Sequence, residues 1–306
     1  MTRVSDANQS QVLLMEVMRA NRALQTTQDQ VATGKAVDTF QDLKGDTSAL
    51  LSSKRLLQQT EQYDIITKRV NQQLETQDLH LSEVYNAVDG LVQQLTEALT
   101  QGEAQAFMDG VESAFDRVVS VLNSQADGKY LYGGTLSDSA PVTLTTLDDL
   151  GLAAASGDAF RDNTREPTVR LDATVSIKPG FLAGDIGGEV MQQIKAIKDY
   201  NDGTAAFDGP LTDAQINELS ARLDALKTAA DGVSTKLAIN GNNQRLADDM
   251  LLRHEASRIT LTNLVSDIED VDMAEALTRL NQDQIKLEAS MRVLSQLNNL
   301  SLMNFL

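Results

Sequence analysis

The chain has 306 residues, carries a formal net charge of −18 and contains neither cysteine nor tryptophan. The missing cysteines exclude disulfides, zinc–thiolate sites and thiol nucleophiles, and the acidic charge argues against nucleic acid and anionic membranes as partners, because both bind basic surfaces. Only two histidines are present, and no stretch approaches the roughly 20 apolar residues of a membrane-spanning helix.

Proline and glycine divide the sequence into three parts. All four prolines and eleven of the eighteen glycines fall between residues 128 and 210. Because proline breaks helices and glycine weakens them, this distribution predicts helical arms around a β-containing middle. We therefore expect a mainly α protein in which long antiparallel arms from both termini form a coiled coil or bundle, with a small β-rich insertion. The expected domains are 1–45 with 270–306, 46–127 with 211–269, and 128–210.

Two stripes of mostly apolar residues mark the N-terminal arm. Their members alternate four- and three-residue steps, which is typical of a coiled-coil seam or of the inner face of a bundle helix. A polar residue within a stripe, such as Gln77, lowers stability but helps to fix the register. The stripes are Leu13, Val17, Ala20, Leu24, Thr27 and Val31, and then Val70, Leu74, Gln77, Leu81, Val84, Val88, Leu91 and Leu95.

The middle part has the composition of turns and short strands. GKYLYGGTLSDSAPVTL (128–144) combines aromatic residues, a Gly-Gly pair and a proline. TVRLDATVSIKPG (168–180) alternates apolar and polar residues, which predicts a strand that ends at a Lys-Pro-Gly turn, within a hairpin-rich insertion. Helical sequence resumes at 189–203, and Asp213 stands where an N-cap would open the next helix.

The C-terminal arm repeats apolar residues every seven positions and stays apolar to its last residue. The repeating residues are Met273, Leu280, Leu287 and Leu294, each followed four positions later by Leu277, Gln284, Met291 and Asn298. We expect this arm and the stripe at 13–31 to bury against neighbouring subunits. The expected subunit interface is Leu13, Val17, Leu24, Val31, Leu277, Leu280, Leu287, Met291, Leu294, Leu297, Leu300, Leu302, Phe305 and Leu306.

No motif of catalysis, phosphate binding or metal binding is present. The sequence lacks a Walker A loop, a His-Glu-x-x-His helix and a Gly-x-Ser-x-Gly turn. His80 and His254 have no partner at ligand spacing on the same helix, which is typical of histidines at a surface or a bundle edge. Carboxylates clustered at 267–275 precede a helix, whose N-terminal end they stabilise. We therefore expect no enzyme activity, no cofactor and no metal site.

Three segments, in chain order, resemble the bacterial flagellin family, which includes filament flagellin and the hook-associated junction proteins. LLMEVMRANRALQTTQDQVATGKAVDTFQD (13–42) is similar to the family's opening helix and its Ser/Thr-Gly-Lys/Arg segment. DGKYLYGGTLSDSAPV (127–142) resembles its Gly-x-Tyr-Leu-Phe-x-Gly segment, and SDIEDVDMAEALTRLNQDQIKLEAS (266–290) the segment before its final helix. The ending LNNLSLMNFL (297–306) is similar to that of the junction proteins, whereas TFQDLKGD (39–46) follows neither branch.

The resemblance implies a structural subunit of the bacterial flagellum, located outside the cell and exported by the flagellar type III channel without a cleavable signal peptide. It implies that the chain adapts the hook to the filament by polymerising through its terminal helices; a short flagellin that forms the filament itself is the alternative. A cytoplasmic helical adaptor is an alternative of another class. Implied partners are further copies in a helical or ring assembly, a neighbouring hook-associated protein, flagellin and an export chaperone, with no nucleic acid and no membrane. The three expected domains then become an inner coiled coil, a helical shell and an outer insertion.

Overall fold

The structure, a computed structural model, describes residues 2–36, 47–126, 128–161 and 167–303. Within these ranges it describes side chains from residue 11 to residue 296. The described part contains seven α-helices and two antiparallel sheets of two strands each. The predicted mainly α fold with a small β-containing insertion is confirmed.

The elements follow one another along the chain with long helices at both ends and short ones in the middle. The helices are α1 (Thr2–Thr33), α2 (Thr47–Gln101), α3 (Phe107–Leu122), α4 (Leu147–Leu152), α5 (Ala183–Gly203), α6 (Asp213–Glu269) and α7 (Met273–Met303), with a 3₁₀ turn at Ser156–Ala159. The strands are β1 (Gln125–Ala126) with β2 (Lys129–Tyr130), and β3 (Val169–Arg170) with β4 (Ser176–Ile177).

The chain divides into two compact units. One, which we call the terminal unit, comprises Met1–Thr60 and Ala256–Leu306. The other, the central unit, comprises Glu61–Glu255. The finer division into three domains, with 128–210 as a separate part, stays a prediction.

In the terminal unit, α1 packs along α7. Lys35 and Asp270 pair in an antiparallel bridge beyond the end of one helix and before the start of the other, and Thr27 contacts Asp283 further along the pair. Residue numbers therefore fall along one helix as they rise along the other. The predicted antiparallel pairing of the terminal arms is confirmed.

The central unit is built on the second predicted stripe of the N-terminal arm. All eight residues of this stripe, from Val70 to Leu95, are at most 4% exposed, so the stripe is a core seam as predicted. From Leu81 onward the seam shares one hydrophobic core with α3 and α5, whose Phe115 and Ile194 are fully buried. Burial of this continuous apolar face is the main source of stability for helices of this length.

The segment 168–180 is a hairpin and not the single strand that its alternation predicts. Strands β3 and β4 pair antiparallel, with Val169 opposite Ile177. The backbone N–H of Leu171 donates to the carbonyl of Val175 at 2.9 Å, which closes the turn. The alternation identifies the buried side chains Leu171 and Ile177 correctly, but it cannot show that the segment folds back on itself.

Helix α6 begins with a reciprocal pair of hydrogen bonds. The hydroxyl of Thr212 accepts from the backbone N–H of Gln215 at 3.4 Å, and Oε1 of Gln215 accepts from the backbone N–H of Thr212 at 2.9 Å. This capping box makes Thr212 the N-cap. The predicted N-cap, Asp213, is the first helical residue, so the prediction was wrong by one position.

Both histidines contact residues of the region 128–210 from the long helices of the central unit. Nδ1 of His80 lies 3.0 Å from Oη of Tyr132, and Nε2 of His254 lies 2.9 Å from the carbonyl oxygen of Leu171. Burial lowers the pKa of His80, which is half-buried. His254 is 4% exposed and stacks on Tyr63. The expectation of a surface or bundle-edge position is therefore wrong for His254, whose ring nitrogen finds a carbonyl partner inside the fold.

Candidate assembly interface

The first predicted stripe of α1 faces α7. Its members are all wholly or partly shielded from solvent, and the residues between them are mostly exposed. This alternation is the pattern of a helix with one partner. The half-buried members are Leu13, Val17, Ala20, Leu24 and Val31, and Thr27 is buried.

Helix α7 presents a seam to α1 that differs from the predicted one at every second position. Leu280, Leu287 and Leu294 are half-buried as expected. The four-residue step, however, precedes each of these leucines and does not follow it, so the other seam positions are 276, 283 and 290. These positions hold alanine, aspartate and serine, whose small or polar side chains gave no apolar signal in the sequence.

Leu277 and Met291, which continue the predicted heptad stripe, belong to a second stripe on α7, and their expected place in the subunit interface stays a prediction. They are 46% and 51% exposed, and Met273 is 43% exposed. Because a helix turns by about 100° per residue, this stripe lies about 60–100° around α7 from the seam. Gln284, between them, is exposed as well. The second stripe is therefore an apolar surface that faces solvent in the described structure.

Helix α1 carries an exposed apolar patch that sequence reasoning missed. Leu14, Met15 and Met18 are 46%, 53% and 51% exposed. They lie about 100–160° around α1 from the stripe that faces α7. The signal is present in the sequence as adjacent apolar residues at 13–15 and 17–18, since one face of a helix cannot accommodate all of them.

A polar contact lies inside the seam between α1 and α7. Oγ1 of Thr27 lies 3.0 Å from Oδ2 of Asp283, and the two residues are 5% and 9% exposed. The same hydroxyl lies 2.9 Å from the carbonyl oxygen of Ala23 in its own helix. Nζ of Lys286 lies 3.1 Å from the other carboxylate oxygen of Asp283. A buried polar pair within an apolar seam favours the one register in which both partners meet.

The turn after α1 is tied to the segment that precedes α7. Gly34 has a φ of +71°, a conformation in which glycine ends helices at little cost. The backbone N–H of Val271 donates to the carbonyl of Gly34 at 3.0 Å, and that of Ala36 donates to the carbonyl of Glu269 at 2.8 Å. The Thr33-Gly34-Lys35 motif therefore acts as a helix stop and as one side of a short bridge.

An ion cluster surrounds this bridge. Nζ of Lys35 lies 2.6 Å from Oδ1 of Asp270, and Nζ of Lys54 lies 2.7 Å from Oε2 of Glu269. The hydrogen bond to Asp270 raises the pKa of Lys35, and the same bond lowers the pKa of Asp270. Of the acidic cluster at 267–275, Asp272 caps α7 through its carboxylate, which accepts from the backbone N–H of Ala274 at 2.9 Å.

Several predicted interface residues lie beyond the described side chains. Leu297, Leu300 and Leu302 are positions of α7 whose side chains are outside the described residues. Phe305 and Leu306 lie outside the described residues altogether, as does the segment 39–46.

Within the described part of the chain, no group of three or more His, Cys, Asp or Glu side chains is placed to hold a metal ion. An open groove of about 450 Å³ between α2 and α3 is lined mainly by amide and carboxylate side chains, including Gln94, Glu97 and Asp109, without a histidine or lysine beside them. Among the described helices, none combines the length and the apolar character that a bilayer crossing requires.

Comparison with known proteins relates both the C-terminal region and the fold to flagellar proteins. Residues 241–306 match the family model for the bacterial flagellin C-terminal helical region. No curated protein matches the chain in sequence. The resemblance to the flagellin family that the sequence motifs indicate is therefore confirmed over this region.

Two solved structures share the fold of the chain. One is assigned to a flagellar hook-associated protein from Vibrio parahaemolyticus; it is 19% identical, has a TM-score of 0.58, and the match covers 72% of this chain and 96% of that one. The other is FlgL from Bacillus cereus, which is 16% identical with a TM-score of 0.54, over 71% of this chain and 99% of that one. At this identity the likeness shows a common fold.

Proposed function

We propose that the chain is a structural subunit of the bacterial flagellum. Its residues 241–306 match the family model for the flagellin C-terminal helical region. In this proposal the chain adapts the hook to the filament, and α1 and α7 form the contacts between neighbouring subunits. A hook-associated protein and FlgL share the fold over 96–99% of their own length and 71–72% of this chain, which supports the junction role over that of filament flagellin.

The distribution of exposed apolar side chains carries this proposal. Of the nineteen large apolar residues that are exposed in the described part of the chain, thirteen lie in the terminal unit, which holds about a third of the chain. Contiguous apolar surface of this kind marks an interaction site on a soluble protein. The second stripe of α7 and the patch at Leu14, Met15 and Met18 of α1 are two such surfaces, and the pairing of α1 with α7 covers neither.

The remaining parts of the proposal follow from the assembly role. Residues 1–45 with 270–306 form an inner coiled coil, 46–127 with 211–269 a helical shell, and 128–210 an outer part. Further copies of the chain, a hook-associated protein and flagellin are the neighbours, and an export chaperone with the type III channel delivers the chain to the outside of the cell. Assembly by burial of apolar surface requires no catalysed reaction, so no enzyme activity is proposed.

The second stripe of α7 provides the test. A strain that lacks the chain is complemented with a variant carrying Leu277→Asp and Met291→Asp. Since an unpaired carboxylate is costly to bury, this variant should fail to join its neighbours. Electron micrographs should show hooks without filaments, and immunoblots should show flagellin released into the medium.

A matched control adds the same two charges elsewhere. Leu79 and Leu252 are 71% and 72% exposed in the central unit, and a Leu79→Asp, Leu252→Asp variant should support filaments. Deletion of 300–306 should act like the stripe variant. Normal filaments with the stripe variant would show that this surface is not the interface.

The deletion strain itself separates the alternatives. Bare hooks with flagellin in the medium support the junction role. Hooks that end in a short stub would instead indicate a filament subunit. In the wild-type strain, absence of the chain from the flagellar fraction would indicate a cytoplasmic adaptor.

A further inference from the structure

The exposed methionines of the described part all lie on α1 and α7. They are Met15, Met18, Met273 and Met291, which are 43–53% exposed. In the central unit Met191 and Met250 are at most 2% exposed, and Met108 is half-buried. The thioether groups that a dissolved oxidant can reach are therefore concentrated on the terminal helices.

These methionines belong to the two exposed apolar surfaces. Met273 and Met291 are eighteen residues apart, which is five whole turns, so they lie on the same side of α7 about 27 Å from each other. Leu277 lies between them in the second stripe. Met15 and Met18 make up most of the patch on α1 that faces away from α7.

We propose that Met15, Met18, Met273 and Met291 are sites of reversible oxidation by peroxide. Their oxidation controls the docking of the two exposed apolar surfaces of α1 and α7. Each thioether sulfur attacks one oxygen of hydrogen peroxide. The O–O bond breaks, an S–O bond forms, and the displaced hydroxide takes the remaining proton to leave as water. The sulfur loses two electrons and the peroxide gains them, so the forward step needs no further reactant. The reverse step takes two electrons from a dithiol reductant through methionine sulfoxide reductases and releases the sulfoxide oxygen as water.

Oxidation changes what the surface can bury. Methionine is flexible and apolar and adapts to irregular partners, whereas methionine sulfoxide is polar and disrupts methionine-rich interfaces. Four sulfoxides on α1 and α7 would each need a hydrogen-bond partner at the interface, while the core of the central unit would be unchanged. The inference rests on the proposed function, because the surface that it regulates is the proposed subunit contact.

The experiment maps oxidation and docking separately. The purified full chain is treated with hydrogen peroxide, and peptide mass spectrometry follows each methionine with time. Met15, Met18, Met273 and Met291 should oxidise at least about tenfold faster than Met191 and Met250, because reactivity follows access. Equal rates at all six positions would overturn the inference whatever the protein assembles into.

Docking is measured by co-sedimentation with hooks isolated from a strain that lacks the chain. The untreated chain should sediment with the hooks, the oxidised chain should lose at least about tenfold of that binding, and methionine sulfoxide reductases should restore it. In a variant with leucine at all four positions, a nearly volume-conserving change, hook binding should be the same with and without peroxide treatment, whatever its initial level.

The possible negative results separate the oxidation control from the proposed function. Unimpaired binding of the fully oxidised chain would overturn the oxidation control alone. Peroxide sensitivity of the leucine variant would show that other residues are responsible, and would overturn it too. Failure of the untreated chain to bind hooks would overturn the proposed function, whereas the oxidation map would stand on its own.

Discussion

Replacing Gln77 by leucine should stabilise the central unit. Gln77 lies in the seam of α2 and is fully buried, and neither its Nε2 nor its Oε1 has a hydrogen-bond partner among the described residues. Oδ1 of Asn240, another fully buried residue, also lacks one. A buried polar group without a hydrogen bond is less stable there than in water, so the native side chain opposes folding at this position.

The size of the gain follows from the groups removed. An unsatisfied amide costs about 1–3 kcal/mol by mutational measure, and leucine adds apolar contact in a seam that is otherwise valine and leucine. Refitting a side chain of similar volume costs less than about 1.5 kcal/mol. We expect a net gain of about 1–3 kcal/mol, and a unit of this size shifts its Tm by about 2–4 °C for each kcal/mol.

Differential scanning calorimetry of the full chain is the assay. Gln72→Leu is the matched control, because Gln72 lies on the same helix and is exposed, and its replacement should change stability by less than about 0.5 kcal/mol. A Gln77→Leu variant that melts at or below the wild-type temperature would refute the reasoning. It would mean that the amide contributes net stability in its present surroundings.

Three further perturbations have expected outcomes. Thr27→Val should raise amide exchange rates in α1 and α7 about 10- to 150-fold, since a hydrogen bond to a charged group contributes about 1.5–3 kcal/mol. The control Thr26→Val removes an exposed hydroxyl bonded within its own helix and should leave these exchange rates unchanged. Equal effects of the two substitutions would count against the buried pair of Thr27 and Asp283. Because burial lowers the pKa of His80 in the folded state, the folded protein takes up a proton less readily than the unfolded one, so stability should fall as the pH drops below about 6.5. Urea midpoints between pH 5 and 7.5 should show a smaller fall for His80→Gln, and identical slopes would contradict this assignment. Lys35→Met should cost about 0.2–1 kcal/mol at low salt, because its partners are partly exposed. That cost should vanish in 1 M NaCl, where screening acts within about 3 Å, and a salt-independent loss would show that the ion pair is not its source.

The sequence predicts the helices and the central seam well because both depend on periodicity. Glycine and proline mark where helices end, and the stripe from Val70 to Leu95 is buried as its spacing requires. In α7 the same reasoning fails at alternate positions. Leu277 and Met291 are more apolar than Ala276 and Asp283, yet the latter two face α1. Which of two neighbouring stripes is covered depends on how the side chains of the partner helix fit against it. The periodicity of one helix does not carry that information.

The unpaired apolar surfaces could be predicted in part for a related reason. A helix with apolar residues on two faces, as at 13–18, must have two partners or expose one face. The sequence therefore indicates that α1 has a second surface, but composition does not say which face meets α7 first. Alternation did not place the hairpin within 168–180, because it shows only which side chains share a face. A turn that preserves the alternation of apolar and polar residues leaves that pattern unchanged.

The two histidines have a practical consequence. His80 meets Tyr132 and His254 meets the carbonyl of Leu171, so each reports on one attachment of the middle segment to a long helix. Since the chain has only these two histidines, an NMR spectrum of the imidazole nuclei contains just two sets of signals without selective labelling. Detachment near Tyr132 would move one set and detachment near Leu171 the other, so the two ends of the segment can be watched independently in the native protein.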